Sequence, residues 1–126
     1  MKENDMGTVV VDAALQIHRE LGPGLLESVY EAILAYELRE RGLYVERQVV
    51  VSMNYKGLNF DEGFRADLVI EKLVVMELKS VESMNNAHLK QLQTYLKLMN
   101  LRLGYLLNFG DALMKKGIRR VINGLK

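Results

Sequence analysis

The chain has no cysteine and only two histidines. These absences exclude a disulfide framework, a thiolate zinc site and a cysteine nucleophile, and they argue against a zinc enzyme. No apolar run is long enough to span a membrane, and no stretch near Met1 has the make-up of a secretory core. The expected compartment is therefore the cytoplasm. No internal repeat, low-complexity tract or linker divides the 126 residues, which have the size of one ordinary domain. A phosphate-cradling glycine loop is missing too. Gly22-Pro23-Gly24 follows a helical pattern, not a strand, and lacks the Lys-Ser/Thr ending.

Charge of one sign is scarce overall, since the net charge is +1, but it is unevenly spread. The first two thirds are acidic. Residues 85–126 carry eight bases against Asp111 alone. Lys115, Lys116, Arg119 and Arg120 give this last third the composition of a nucleic-acid contact, although a solvated basic face explains it equally simply.

The most informative stretch is Arg65–Lys79. It reads as two short strands joined by a tight turn at Glu71-Lys72, with Val, Ile and Leu on both sides of the alternation, as in strands buried on both faces. Asp67, Glu77 and Lys79 interrupt that apolar setting. Glu77 and Lys79 are two residues apart, so a strand points them to one face, and the hairpin brings Asp67 alongside. Such groups are costly to bury unless they pair or bind a cation.

Elsewhere, residues 1–7 read as a flexible tail and residues 8–126 as a single domain. Thr8 is placed to cap a helix reaching Leu21. A second helix is expected from Leu26 to Arg41, ended by Gly42. On its wheel Glu27 falls on the apolar side with Tyr30, Leu34 and Leu38. Glu37 approaches that side, whereas Glu31 and Glu40 lie at its edge or outside. Tyr44–Tyr55 reads as a strand and Leu58–Phe60 as a short return. Asp61-Glu62-Gly63 then reads as a turn into the Arg65–Lys79 hairpin, which makes an antiparallel meander. The next helix begins at Asn85 or Asn86 and runs to Asn100. Its apolar face is expected to include Met84, Leu98 and Met99, with Gln91, Tyr95 and His88 near the buried seam. Leu103–Phe109 is a further strand, and Met114–Ile122 a terminal strand or short helix.

The chemistry that suits Asp67, Glu77 and Lys79 is metal-assisted hydrolysis. Two hard carboxylates hold Mg²⁺, which accepts phosphate oxygens as further ligands. Lys79 would orient or deprotonate the attacking water, or stabilise developing charge. Glu27 would bind the metal directly or through water.

Gly24-Leu-Leu-Glu27-Ser-Val-Tyr30 resembles the signature of the GxxExxY proteins, a branch of the PD-(D/E)XK nuclease superfamily. Asp67 matches the superfamily's first metal acid, Glu77-Leu78-Lys79 its Glu-x-Lys element, and Gln91-Leu-Gln-Thr-Tyr95 resembles a Gln-x-x-x-Tyr motif of several nuclease groups. The likeness spans about residues 8–122; Ala66 stands where the superfamily's name has Pro. It implies an α/β, restriction-endonuclease-like fold with a central mixed sheet flanked by helices. It also implies Mg²⁺- or Mn²⁺-dependent cleavage of phosphodiesters, in DNA first and RNA second. The metal site is expected at Asp67, Glu77 and the Leu78 backbone carbonyl, with Glu27 beside it. Tyr30, His88, Gln91 and Tyr95 would support it. The alternative is a nuclease-fold binding or accessory module acting through a partner. A homodimer is a further expectation, resting on exposed apolar positions such as Met114 and Ile118.

Overall fold

The central strands owe their position to composition: Val74–Lys79 and Leu103–Asn108 are buried on both faces and need cover on both. The computed structural model describes residues 2–125. Its elements are α1 (Glu3–Leu21), α2 (Glu27–Glu40), β1 (Val45–Tyr55), β2 (Leu58–Ile70), β3 (Val74–Lys79), α3 (Asn86–Met99), β4 (Leu103–Asn108), α4 (Met114–Gly117) and β5 (Ile118–Ile122). They build one mixed sheet of order β1-β2-β3-β4-β5, parallel only between β3 and β4. That parallel pair needs a crossover, and α3 supplies it.

Helices cover both faces. Val10, Ile17, Leu34 and Leu38 of α1 and α2 pack in one core with Leu68, Met76, Leu78 and Leu107. On the other face Leu92 and Leu96 of α3 meet Ala66, Val75, Leu106 and Val121. Full burial of a Leu side chain stabilises by roughly 1.5–3 kcal/mol. The two fully buried residues of α3, Leu92 and Leu96, are therefore its anchors, with Leu89 and Met99 packed partly buried beside them. No helix among the described residues is long and apolar enough to cross a membrane.

The hairpin turn forms as its sequence suggests, with both Glu71 and Lys72 at positive φ and the Leu73 N–H on the Ile70 carbonyl. Gly42 follows the end of α2, its N–H on the Arg39 carbonyl. Four expectations are corrected. The first helix starts at Glu3, not Thr8. The Asp5 carboxylate takes the Lys2 amide at 3.2 Å, Met6 enters the core, and Arg102 clamps Glu3 through Nε at 2.9 Å and Nη2 at 3.0 Å. The Glu3 carboxyl is held below the usual range by its own backbone amide and then by Arg102. Asp61-Glu62-Gly63 is not a turn. β2 runs through it as a bulge, because β1 resumes pairing beyond, at Met53↔Phe60. In α3 the seam is Leu92 and Leu96, with Met84 and Met99 packed against it as expected, while Leu98 is 48% exposed. Met114 lies in the core and Ile118 packs against it, so neither is the free apolar surface on which a dimer was expected.

Candidate active site

The hairpin register carries Asp67 and Glu77 to the point where the β2–β3 ladder ends. Pairing runs from Ile70↔Val74 to Leu68↔Met76. Just beyond, the Leu78 N–H donates to Asp67 Oδ2 at 2.9 Å, and the Asp67 N–H points at Glu77 Oε1 at 3.4 Å. The two carboxyl groups thus occupy the opening between the strands. Glu77 is buried. Burial first, then the charge of Asp67, then the hydrogen bond between the two carboxyls push the Glu77 carboxyl up to about 9. Glu77 therefore keeps its proton at neutral pH. Lys79 pulls the other way, but as the smallest of the causes.

Lys79 is half-buried at the end of β3. Among the described residues it forms no ion pair. A simple acid–lysine bridge is therefore not what these charges are for.

Glu27 reaches the site from the other side. Gly24 at φ +110° bends the chain before α2, a conformation that an L side chain would strain. Tyr30 fixes the bend: its hydroxyl donates to the Gly22 carbonyl and accepts the Leu25 N–H at 3.2 Å, and its ring stacks on Phe109 at 4.4 Å. Glu27 Oε1 then accepts the Ser80 N–H at 3.2 Å, and Ser80 Oγ donates to the Leu25 carbonyl at 2.8 Å. The bend before α2 is thereby stitched to the residue after Lys79. Glu27 is exposed, not part of the apolar face, because the core of α2 ends at Tyr30. It lines a cleft of about 430 Å³ with Glu31, Arg47, Gln48, Arg65 and Asp67. Among the described residues no three acids or histidines close into one cluster, so Glu27 stands at the rim of the Asp67–Glu77 pair.

On α3, Tyr95 faces the pair. Burial, then Glu77, then Asp67 raise its hydroxyl above the usual phenol range, and its ring stacks on Phe64 at 4.1 Å. Gln91 is exposed, and Nδ1 of His88 is buried without a partner among the described residues. Of the three residues expected near the buried seam, His88 and Tyr95 are half-buried and Gln91 is not.

Several residues escaped the sequence reading. Glu31 is buried and bonded by Arg47 Nε at 3.1 Å and by the Gln48 amide. Asn108 is fully buried and holds the chain just beyond Lys79. Its Oδ1 accepts the Val81 N–H at 3.0 Å and its Nδ2 donates to the Val81 carbonyl at 2.9 Å. Gly110 allows that approach, since a Cβ there would stand 2.2 Å from the Val81 carbonyl oxygen. An Asn closing a wholly buried strand was the available signal. Lys115, Lys116, Arg119 and Arg120 are exposed on α4 and β5 and do not line the cleft. Arg119 bonds the Lys116 carbonyl at 2.7 Å and Arg120 bonds Asn4 Oδ1 at 2.8 Å.

A family model described as the PD-(D/E)XK nuclease superfamily matches residues 4–121. No curated protein and no solved structure matches the chain.

Proposed function

The chain belongs to the PD-(D/E)XK nuclease superfamily, and from that premise we propose that it is a divalent-metal-dependent nuclease of the GxxExxY branch, hydrolysing phosphodiesters of DNA in the cytoplasm. The observation that carries this reading is the Asp67–Glu77 pair beside Lys79, which shares β3 with Glu77 and forms no ion pair among the described residues. The donor chemistry fits a hard cation. Two carboxyl groups converge where the β2–β3 ladder ends, and without a cation the buried one keeps a proton far above its ordinary range. Asp67 and Glu77 would hold Mg²⁺ or Mn²⁺ with the Leu78 carbonyl, and Glu27 would bind through water from the rim. The chemistry such an ion supplies when bound is a more acidic water and neutralisation of phosphate charge. Lys79 orients the attacking water and stabilises charge developing on the phosphoryl oxygens. Tyr95 closes the α3 side of the opening.

The test is cleavage of single-stranded, duplex and branched DNA and of RNA in Mg²⁺, Mn²⁺ or EDTA. Metal-dependent cleavage is expected with DNA. Its absence on every substrate would leave the accessory-module alternative. Calorimetric titration of Mn²⁺ should give binding to wild type and none to Asp67→Ala; equal affinity removes the site from Asp67.

The basic last third supports a backbone contact outside the cleft. Each phosphate neutralised on duplex DNA adds about 0.9 to the slope of log affinity against log salt. Reversing Lys115, Lys116, Arg119 and Arg120 together to Glu should weaken binding to all sequences alike and flatten that slope. A slope that does not move assigns the stretch to ordinary solvation.

A further inference from the structure

One residue beside the carboxylate pair has a backbone that its type does not explain. β1 pairs with β2 through Arg47↔Leu68 and Val49↔Ala66, and the pairing skips Gln48 opposite Asp67. Gln48 stands at φ +50°. That left-handed region is uncommon for a residue other than glycine and unusual for Gln. A regular strand residue would have kept the ladder. Conformations of this kind persist where the surroundings hold them, and they cluster at functional sites.

What holds Gln48 is its side-chain amide. Nε2 has two N–H groups. One goes to Glu31 Oε1 and the other to Asp67 Oδ1 at 3.3 Å. Glu31 cannot drift, since it is 5% exposed and gripped by Arg47 Nε at 3.1 Å. The amide is therefore a strut from α2 to the Asp67 carboxylate. Asp67 Oδ2 is already fixed by the Leu78 N–H at 2.9 Å. With Gln48 on Oδ1, both oxygens have a donor and the carboxylate plane is set. The same neutral amide also lies between Glu31 and Asp67, which would otherwise repel across the cleft.

We propose that Gln48 is a positioning residue for Asp67: its left-handed backbone aims an amide that ties Asp67 to Glu31 and fixes the orientation in which Asp67 faces the cleft. The consequence for cation binding rests on the nuclease reading; the positioning itself does not. Two variants separate side chain from backbone. Gln48→Gly removes the amide and relieves the positive φ. Gln48→Met removes the amide, keeps the length and keeps the strain.

The first measurement is amide hydrogen exchange in EDTA. With the Gln48 donor lost, Asp67 is freer to turn, and the Leu78 N–H should exchange at least about tenfold faster relative to Met76 in both variants. Thermal melting should hold or rise in Gln48→Gly and fall in Gln48→Met. A residue that merely kinks the strand predicts the same melting order with Leu78 unaltered, and that result overturns the proposal. The second measurement is Mn²⁺ affinity, expected to weaken about tenfold or more in both variants, the scale seen when a partner of a metal ligand is removed. Equal affinity in all three proteins overturns the link to cation binding. Wild type that binds no Mn²⁺, with Leu78 released in both variants, upholds the positioning and overturns the metal reading instead.

Discussion

In EDTA the protein should lose stability steadily as pH rises from about 5 towards 9, and Glu77→Gln should remove most of that loss. The folded-state value of Glu77 is raised from 4.5 to about 9. Between those limits the native state binds a proton that the unfolded chain has released. Stability therefore falls with rising pH, by up to about 1.4 kcal/mol per pH unit for a single proton. The contribution is complete below the unfolded value and lost as pH climbs through the folded one. Against a total of about 5–15 kcal/mol for a domain, such a slope is large. It should move the melting temperature by several degrees per pH unit across the window.

The groups facing Glu77 fix the sign. Asp67 on β2 raises it, Lys79 on its own strand opposes weakly, and Tyr95 on α3 has its own hydroxyl raised and stays neutral through the window. Gln at position 77 keeps the shape and the neutral state at every pH. Melts of both proteins from pH 5 to about 9 decide the matter. Parallel curves would mean that Glu77 is ionised in the fold and that the opening between β2 and β3 is wet.

How much of this was legible beforehand follows from the range over which each feature is determined. The turn at Glu71-Lys72 is local. It fixes the register Ile70↔Val74 and so carries Asp67 to Glu77. The spacing that puts Glu77 and Lys79 on one face is equally local. The start of α1 was not legible, because Arg102, which clamps Glu3, lies 99 residues away. Periodicity grouped His88, Gln91 and Tyr95, but angles on a wheel do not say which side meets the sheet. Only the packing of Leu92 and Leu96 decides that. Glu31 sat at the edge of the α2 stripe and became buried because Arg47 and Gln48 of β1 lie over it. A glutamine at positive φ leaves no mark in a sequence. Asn108 was the one missed residue with a local signal, but its partner Val81 is 27 residues away.

Lys79→Met should fold, bind Mn²⁺ and bind DNA, and yet lose cleavage by about 10²-fold or more, the usual scale for a positioned acid–base group. The substitution keeps much of the side-chain volume and removes the ammonium. In wild type that ammonium forms no ion pair among the described residues, and it is the smallest of the influences on Glu77. Its removal therefore strands no charged partner, and the large penalty for breaking a buried pair does not arise. An ammonium beside a cation site also repels the cation, so Mn²⁺ affinity should hold or rise slightly in the variant. The combination of unchanged melting, undiminished Mn²⁺ binding and lost turnover belongs to a group that acts in the chemical step. A large drop in melting temperature with proportionate loss of activity would make Lys79 a structural residue. Cleavage that survives both EDTA and Lys79→Met would come from another protein in the sample and would leave this mechanism without support.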